Sequence, residues 1–179
     1  TMSSLLNNGG SIGGVQLEFY ARINNGLVNN GGTIAGALPI ELRSSSYLVG
    51  GLTNSGFINS SANYAIALGY DSTITGGIYN SGSISSSIGG GIAIDASSLV
   101  DLISNTGYIS SINNAGRITS SGVAVSLGAG GIIASGLTNS GMISAYTAIS
   151  LNAATLIGGI ANSGTISGDL LGINVGYIG

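Results

Sequence analysis

A seven-residue pattern that recurs eight times along the 179-residue chain constrains the fold more than any other feature of the sequence. The pattern reads aliphatic residue, any residue, Asn, any residue, Gly, any residue, Ile. Its copies lie at 6–12, 28–34, 52–58, 78–84, 103–109, 112–118, 137–143 and 160–166, and successive asparagines are 22, 24, 26, 25, 9, 25 and 23 residues apart. Such self-similarity is typical of repeat architectures, in which each unit stacks on the next.

Each fixed position of the pattern has a physical reason. A spacing of two places the four side chains on one face of an extended segment, so the aliphatic residue and the Ile are expected to face a core. Asn followed by Gly two residues later indicates a corner, because Asn tolerates left-handed backbone and Gly accepts positive φ. We expect the stacked asparagines to form an inward hydrogen-bonded ladder, since a buried polar group without a partner costs about 1–3 kcal/mol.

The predicted structural sites are the asparagines and glycines of the eight copies. The ladder asparagines are Asn8, Asn30, Asn54, Asn80, Asn105, Asn114, Asn139 and Asn162. The corner glycines are Gly10, Gly32, Gly56, Gly82, Gly107, Gly116, Gly141 and Gly164. The interval from Asn105 to Asn114 is too short for a coil. Either one coil carries two Asn corners or the second copy leaves the coil as a short excursion; we favour the first, because both copies keep the full pattern.

Two further apolar segments lie between successive corners, for example the alternating segment 65–68 and the short segment 73–75. Together they give about three short strands in roughly 24 residues, which suits one coil of a parallel β-helix. A helix is excluded because no stretch has apolar residues at helical spacing and glycine recurs too densely. The sequence therefore predicts an all-β fold, a single right-handed parallel β-helix (β-solenoid) domain over 1–179 with about seven coils.

Composition excludes several classes of function. Charged residues make up 5% of the chain, the net charge is −3, and Lys, His, Cys and Trp do not occur. Three arginines, Arg22, Arg43 and Arg117, are too few to neutralise a nucleic-acid backbone. Gly, Ser and Asn interrupt every apolar stretch, so no transmembrane segment is expected. Without His, Lys or Cys nothing can activate the many serines as nucleophiles, and we expect no enzyme, cofactor or metal site.

Two weaker hypotheses rest on particular side chains. Parallel β-helices that cleave glycans use acidic and basic residues on one face, and Asp71, Asp95, Asp101 and Arg117 are the candidates, although loop solubilisation explains these acids better. Ice binding would need a regular threonine face, but positions equivalent to Thr33, Thr53 and Thr165 also carry Ser, Phe, Tyr and Arg.

Six tyrosines are expected at strand edges or outward positions: Tyr47, Tyr64, Tyr70, Tyr79, Tyr108 and Tyr146. Tyr combines an apolar ring with a polar hydroxyl, so these side chains could stack on sugars or on a neighbouring rod. We interpret them first as surface tyrosines of strands.

The string Gly-Gly-Ile-x-Asn-Ser-Gly-x-Ile-Ser, found at 76–85 and 158–167 with Ala-Ile-x-Leu about a dozen residues away, resembles repeats of bacterial autotransporter passengers and related large surface adhesins. The resemblance extends from Leu6 to Val175. It implies secretion across a Gram-negative envelope and an extracellular location at the bacterial cell surface. The absence of Cys suits a chain that is exported unfolded.

These observations predict an extracellular structural or adhesive β-solenoid. The segment 170–179 is apolar and carries no polar cap, which in solenoids indicates contact with further coils. We therefore expect either a rod segment of a surface adhesin or a subunit that stacks end to end into a fibre. The expected partner is another copy, the rest of a longer solenoid chain, or a surface glycan or host receptor. The alternatives are a glycan-binding or glycan-cleaving β-helix and an ice-binding solenoid.

Overall fold

The computed structural model describes residues 1–69, 71–88, 90–94, 108–109, 111–128 and 130–176. Regular structure in these residues consists of β-strands, numbered here along the chain, which form three sheets. Strands one coil apart pair in parallel, with like positions opposite each other, as in the pairing of Ile58 with Ile34 and with Ile84. The protein is a parallel β-solenoid, and the predicted fold class is confirmed.

One sheet, named here the ladder sheet, has its strands in chain order and each strand pairs with the next. Its strands are β1 (Leu5–Asn8), β5 (Leu27–Asn30), β9 (Leu52–Asn54), β13 (Ile78–Asn80), β17 (Ile112–Asn114), β21 (Leu137–Asn139) and β24 (Ile160–Asn162).

A second sheet, the long sheet, has two arms joined by a long strand. The first arm contains β2 (Ser11–Ile12), β6 (Thr33–Gly36), β10 (Phe57–Ser60), β14 (Ser83–Ser86) and β18 (Arg117–Ser120). The second arm contains β3 (Val15–Leu17), β7 (Ile40–Leu42), β11 (Ile66–Leu68), β15 (Gly90–Ile94) and β19 (Val123–Leu127). The joining strand β22 (Met142–Leu151) pairs with both arms and with the last strand, β25 (Thr165–Val175).

The third sheet, the short sheet, is made of two-residue strands. They are β4 (Arg22–Ile23), β8 (Tyr47–Leu48), β12 (Thr73–Ile74), β16 (Tyr108–Ile109), β20 (Ile132–Ile133) and β23 (Thr155–Leu156). Three sheets agree with the predicted three strands per coil. In the coils that precede β22, however, the chain contributes two separate strands to the long sheet, one in each arm. Most coils therefore contain four short strands.

Seven strands in the ladder sheet enclose six complete turns. The sequence predicts about seven coils because each motif copy is counted as one coil, with the copies at 103–109 and 112–118 taken together. In the structure the seven ladder strands mark the boundaries between turns, so the rod has about six turns.

The core is a set of apolar columns along the axis. In the first arm and the strand β22 that pairs with it, one column is fully buried and in register: Ile34, Ile58, Ile84, Ile118 and Ile143. Each such side chain contributes about 1.5–3 kcal/mol through burial. Within the described residues, every buried side-chain nitrogen and oxygen has a hydrogen-bond partner.

The corner glycines have a different physical role from the one expected. Gly56, Gly82 and Gly116 do not have positive φ; the left-handed glycines lie elsewhere, for example Gly51 and Gly77 before ladder strands. A Cβ on Gly82 would collide with the backbone oxygen of Gly56 in the preceding turn, and the same contact recurs along the column. The corner thus requires glycine because two backbones approach closely, and the expectation of positive φ is wrong at these positions.

We predict that Gly82→Ala lowers the free energy of unfolding by about 1–3 kcal/mol, because the added methyl group has no room. Gly13→Ala is the matched control, since a Cβ there meets nothing within 4 Å and φ is not positive; its effect should stay within about 0.5 kcal/mol. Urea denaturation followed by circular dichroism measures both. Equal stability of the two variants would show that close approach does not explain the corner.

Candidate functional site

Seven asparagine side chains form a continuous hydrogen-bonded column inside the ladder sheet. Asn7 Nδ2 donates to Asn29 Oδ1 at 2.8 Å, and each later Nδ2 donates to the next Oδ1 at 2.7–2.8 Å. The members are Asn7, Asn29, Asn54, Asn80, Asn114, Asn139 and Asn162. All donors point toward the later turn, so the ladder has a direction.

Each ladder amide also binds backbone carbonyl groups. Asn54 Nδ2 lies 3.2 Å from Gly56 O in its own corner and 3.2 Å from Ser83 O in the next turn. Asn29, Asn54 and Asn139 are fully buried. One side chain thus connects a corner to the turn that follows it by bonding to a backbone acceptor in each.

The predicted ladder positions are wrong in the first two turns. Asn8 and Asn30 point outward, where Asn30 Nδ2 donates to Asn8 Oδ1 at 2.8 Å on the surface, and their neighbours Asn7 and Asn29 occupy the ladder. These two corners contain one extra residue, and Gly9 and Gly31 have φ of 75° and 68°.

The sequence contains a signal for this alternative register. Leu5-Leu6 precedes Asn7-Asn8, and Leu27-Val28 precedes Asn29-Asn30. Because each of these corners has paired aliphatic, paired Asn and paired Gly residues, the first three fixed positions of the pattern fit either of two registers. The structure turns the first of each pair inward, where Leu5 is partly buried and Leu27 is fully buried, and leaves Leu6 65% exposed.

The other predicted ladder positions are Asn54, Asn80, Asn114, Asn139 and Asn162, and all five lie in the ladder. Asn80 Nδ2 donates directly to Asn114 Oδ1 across 34 residues of chain. Asn114 is therefore the ladder member that follows Asn80, and whether one coil carries a second Asn corner at Asn105 stays a prediction.

Asn105, Gly107, Asp95 and Asp101 lie outside the described residues. The end of the motif copy 103–109 is visible as β16, which pairs with β12 and β20 in the short sheet. This copy thus ends on a different sheet from the other copies, whose final Ile lies in the long sheet.

The charged residues of the first turns pair with one another. Arg43 bonds to Glu41 and to Glu18, with Nε 3.3 Å from Glu18 Oε1. Gln16 Nε2 donates to Glu41 Oε2 at 3.2 Å, and Arg22 lies over the Tyr47 ring at 5.7 Å. The Arg43 guanidinium thus offsets negative charge on Glu41 and Glu18. Among the described residues no group of three or more acids, His or Cys could hold a metal ion.

The outward column of the first arm mixes several residue types in register. It contains Ser11, Thr33, Phe57, Ser83, Arg117, Met142 and Thr165. This column does not form the regular threonine array on which the ice-binding hypothesis depends.

The two ends of the described core differ. Ile173 and Val175 continue the buried columns of Ile149 and Leu151, yet they are 45% and 47% exposed. Asn162 Nδ2 donates to Gly164 O at 3.1 Å. At the opposite end a recess of about 300 Å³ is lined by apolar side chains that include Leu5, Val15, Leu17 and Ile23.

No protein-family model, curated protein or solved structure matches the chain. In the part of the chain that the structure describes, no helix has the length and apolar character needed to cross a membrane. The stacked turns and their ladder define the class: the chain is a structural repeat protein.

We predict that Asn29→Ala and Asn30→Ala differ sharply in stability although the residues are neighbours. Loss of Asn29 removes the ladder acceptor of Asn7 Nδ2 and the ladder donor of Asn54 Oδ1, which costs about 1–3 kcal/mol for each buried group left without a partner. Loss of Asn30 removes two exposed hydrogen bonds, to Asn8 and from Ser55, and its effect should stay below about 1 kcal/mol. Thermal and urea denaturation of the two variants measure the difference; the reverse order would place Asn30 in the ladder.

Proposed function

We propose that the chain is an extracellular structural and adhesive β-solenoid that forms a rod segment of a bacterial surface adhesin. The observation that carries this proposal is the continuous register of the ladder and the core over six turns. The inward groups of each turn join it to its neighbours, so the rod lengthens by repetition. With strands about 4.8 Å apart, six turns span about 29 Å.

The composition supports an extracellular location. A chain without Cys can be exported unfolded without premature crosslinks, and backbone ladders with apolar columns replace disulfides in holding the fold. The resemblance of the repeats at 76–85 and 158–167 to autotransporter passengers points to the same location. The small, mostly neutral outward side chains suit a rod that presents a surface.

A second candidate, end-to-end stacking of copies into a fibre, is favoured by the two ends of the core. Asn162 Nδ2 has the orientation that donates to a further asparagine, and Ile173 and Val175 are exposed apolar side chains in core columns. A further parallel coil would cover them, whether it comes from a longer chain or from another copy. Contacts between copies would be head to tail, and such contacts produce a filament when they do not close.

We expect an antiserum against the purified chain to label intact cells of the source organism in immunoelectron microscopy. Label on rods that project from the cell would support a rod segment of a surface adhesin. Label along filaments that consist of this chain would support end-to-end stacking into a fibre. Label that appears only after the cells are permeabilised would contradict an extracellular function.

A matched pair of variants tests the fibre candidate on the purified chain. Ile173→Lys places a charge on the exposed core column and should abolish filaments in negative-stain images. Ser167→Lys, an outward substitution on the same strand β25, should leave them intact. Filaments from both variants, or from neither, would argue against stacking through this end.

A further inference from the structure

A recess of about 210 Å³ lies on the outer face of the ladder sheet, in the middle of the rod. Its lining includes Thr53, Tyr79, Ser81, Asn113, Thr138 and Ser140. We propose that this recess binds one unit of a neutral oligosaccharide. The inference goes beyond the rod function and does not depend on it.

The register of the ladder sheet creates the recess. Tyr79 lies in register between Thr53 and Asn113 on the neighbouring strands, and Thr138 follows Asn113. The outward residues after the ladder asparagines are also small, as Ser81, Ala115 and Ser140 illustrate. The Tyr79 ring, 48% exposed, therefore stands as a wall beside a floor of short side chains.

The side chains that line the recess match the two kinds of surface on a sugar. The Tyr79 ring offers an apolar face to the C–H groups of a pyranose, and its hydroxyl can bond at the edge. Asn113 Nδ2 donates to Ser111 Oγ at 3.1 Å, which orients the amide. Its Oδ1 and second N–H can then bond to sugar hydroxyls, together with the hydroxyl groups of Thr53 and Thr138.

Charge and size define the class of ligand further. No side chain in the lining carries a formal charge, so nothing there compensates an anionic or cationic ligand. Asn80 and Asn114 border the recess, but their amides are engaged in the ladder. The volume is below the roughly 300–1,000 Å³ of pockets that enclose drug-sized ligands. We therefore expect one sugar unit to occupy the recess while the rest of the oligosaccharide lies along the ladder sheet.

Saturation-transfer NMR with chitotetraose, maltotetraose and lacto-N-tetraose tests the proposal, with a sialylated oligosaccharide as the charged comparison. At least one neutral probe should bind saturably. Tyr79→Ala should weaken its binding about three- to tenfold, and Tyr79→Phe, which keeps the ring, should change it less than about twofold. Tyr146→Ala removes a tyrosine of similar exposure, 52%, from β22 and should leave binding unchanged.

Thr138→Arg provides a second test at an exposed position, because its long side chain fills the recess without removing Tyr79. It should also abolish binding while the circular dichroism spectrum stays that of the parent protein. The proposal is overturned if no neutral probe binds, if only the charged oligosaccharide binds, or if Tyr146→Ala weakens binding as much as Tyr79→Ala.

Discussion

The hydrogen bond from one inward asparagine to the next is the interaction on which the stacking of turns depends. Columns of Ile and Leu favour burial, but such apolar contacts are non-directional and tolerate sliding. A fully buried carboxamide, such as that of Asn54, has to lie within hydrogen-bonding distance of its partners. A displaced turn would leave several buried amides and carbonyl groups without partners. The ladder thus sets the register that the apolar columns then stabilise.

The corner glycine is needed for the same contact between successive turns. A turn can approach its neighbour closely enough for the 2.8 Å bond from Asn54 to Asn80 only where the backbones at Gly56 and Gly82 nearly touch. Any larger residue would separate the turns at the position where the ladder requires contact. The spacing of Asn and Gly in the motif therefore reflects one requirement, the close approach of successive turns. The first two corners are one residue longer and meet it with an added left-handed residue such as Gly31.

Sequence periodicity was sufficient to predict the solenoid, the inward ladder and five of its members, because one register alone fits the motif from Asn54 onward. It failed at Asn8 and Asn30, where paired apolar and paired Asn residues allow two registers. A slip of one residue exchanges the buried and exposed faces of a strand, and only the length of the corner decides between them. The outward position of Tyr79 was also predictable. The recess beside Tyr79 was not predictable, since it depends on which side chains of the neighbouring strands the register places next to the ring.

Exchange of side-chain amide protons with solvent, measured by NMR on the labelled protein, tests the ladder most directly. The account predicts slow exchange for the carboxamides of Asn29, Asn54, Asn80 and Asn114, which are buried donors. The side-chain amides of Asn8 and Asn30, both at the surface, should exchange much faster than those of the ladder. Rapid exchange at Asn54 and Asn80, or protection of Asn30 in place of Asn29, would contradict the account.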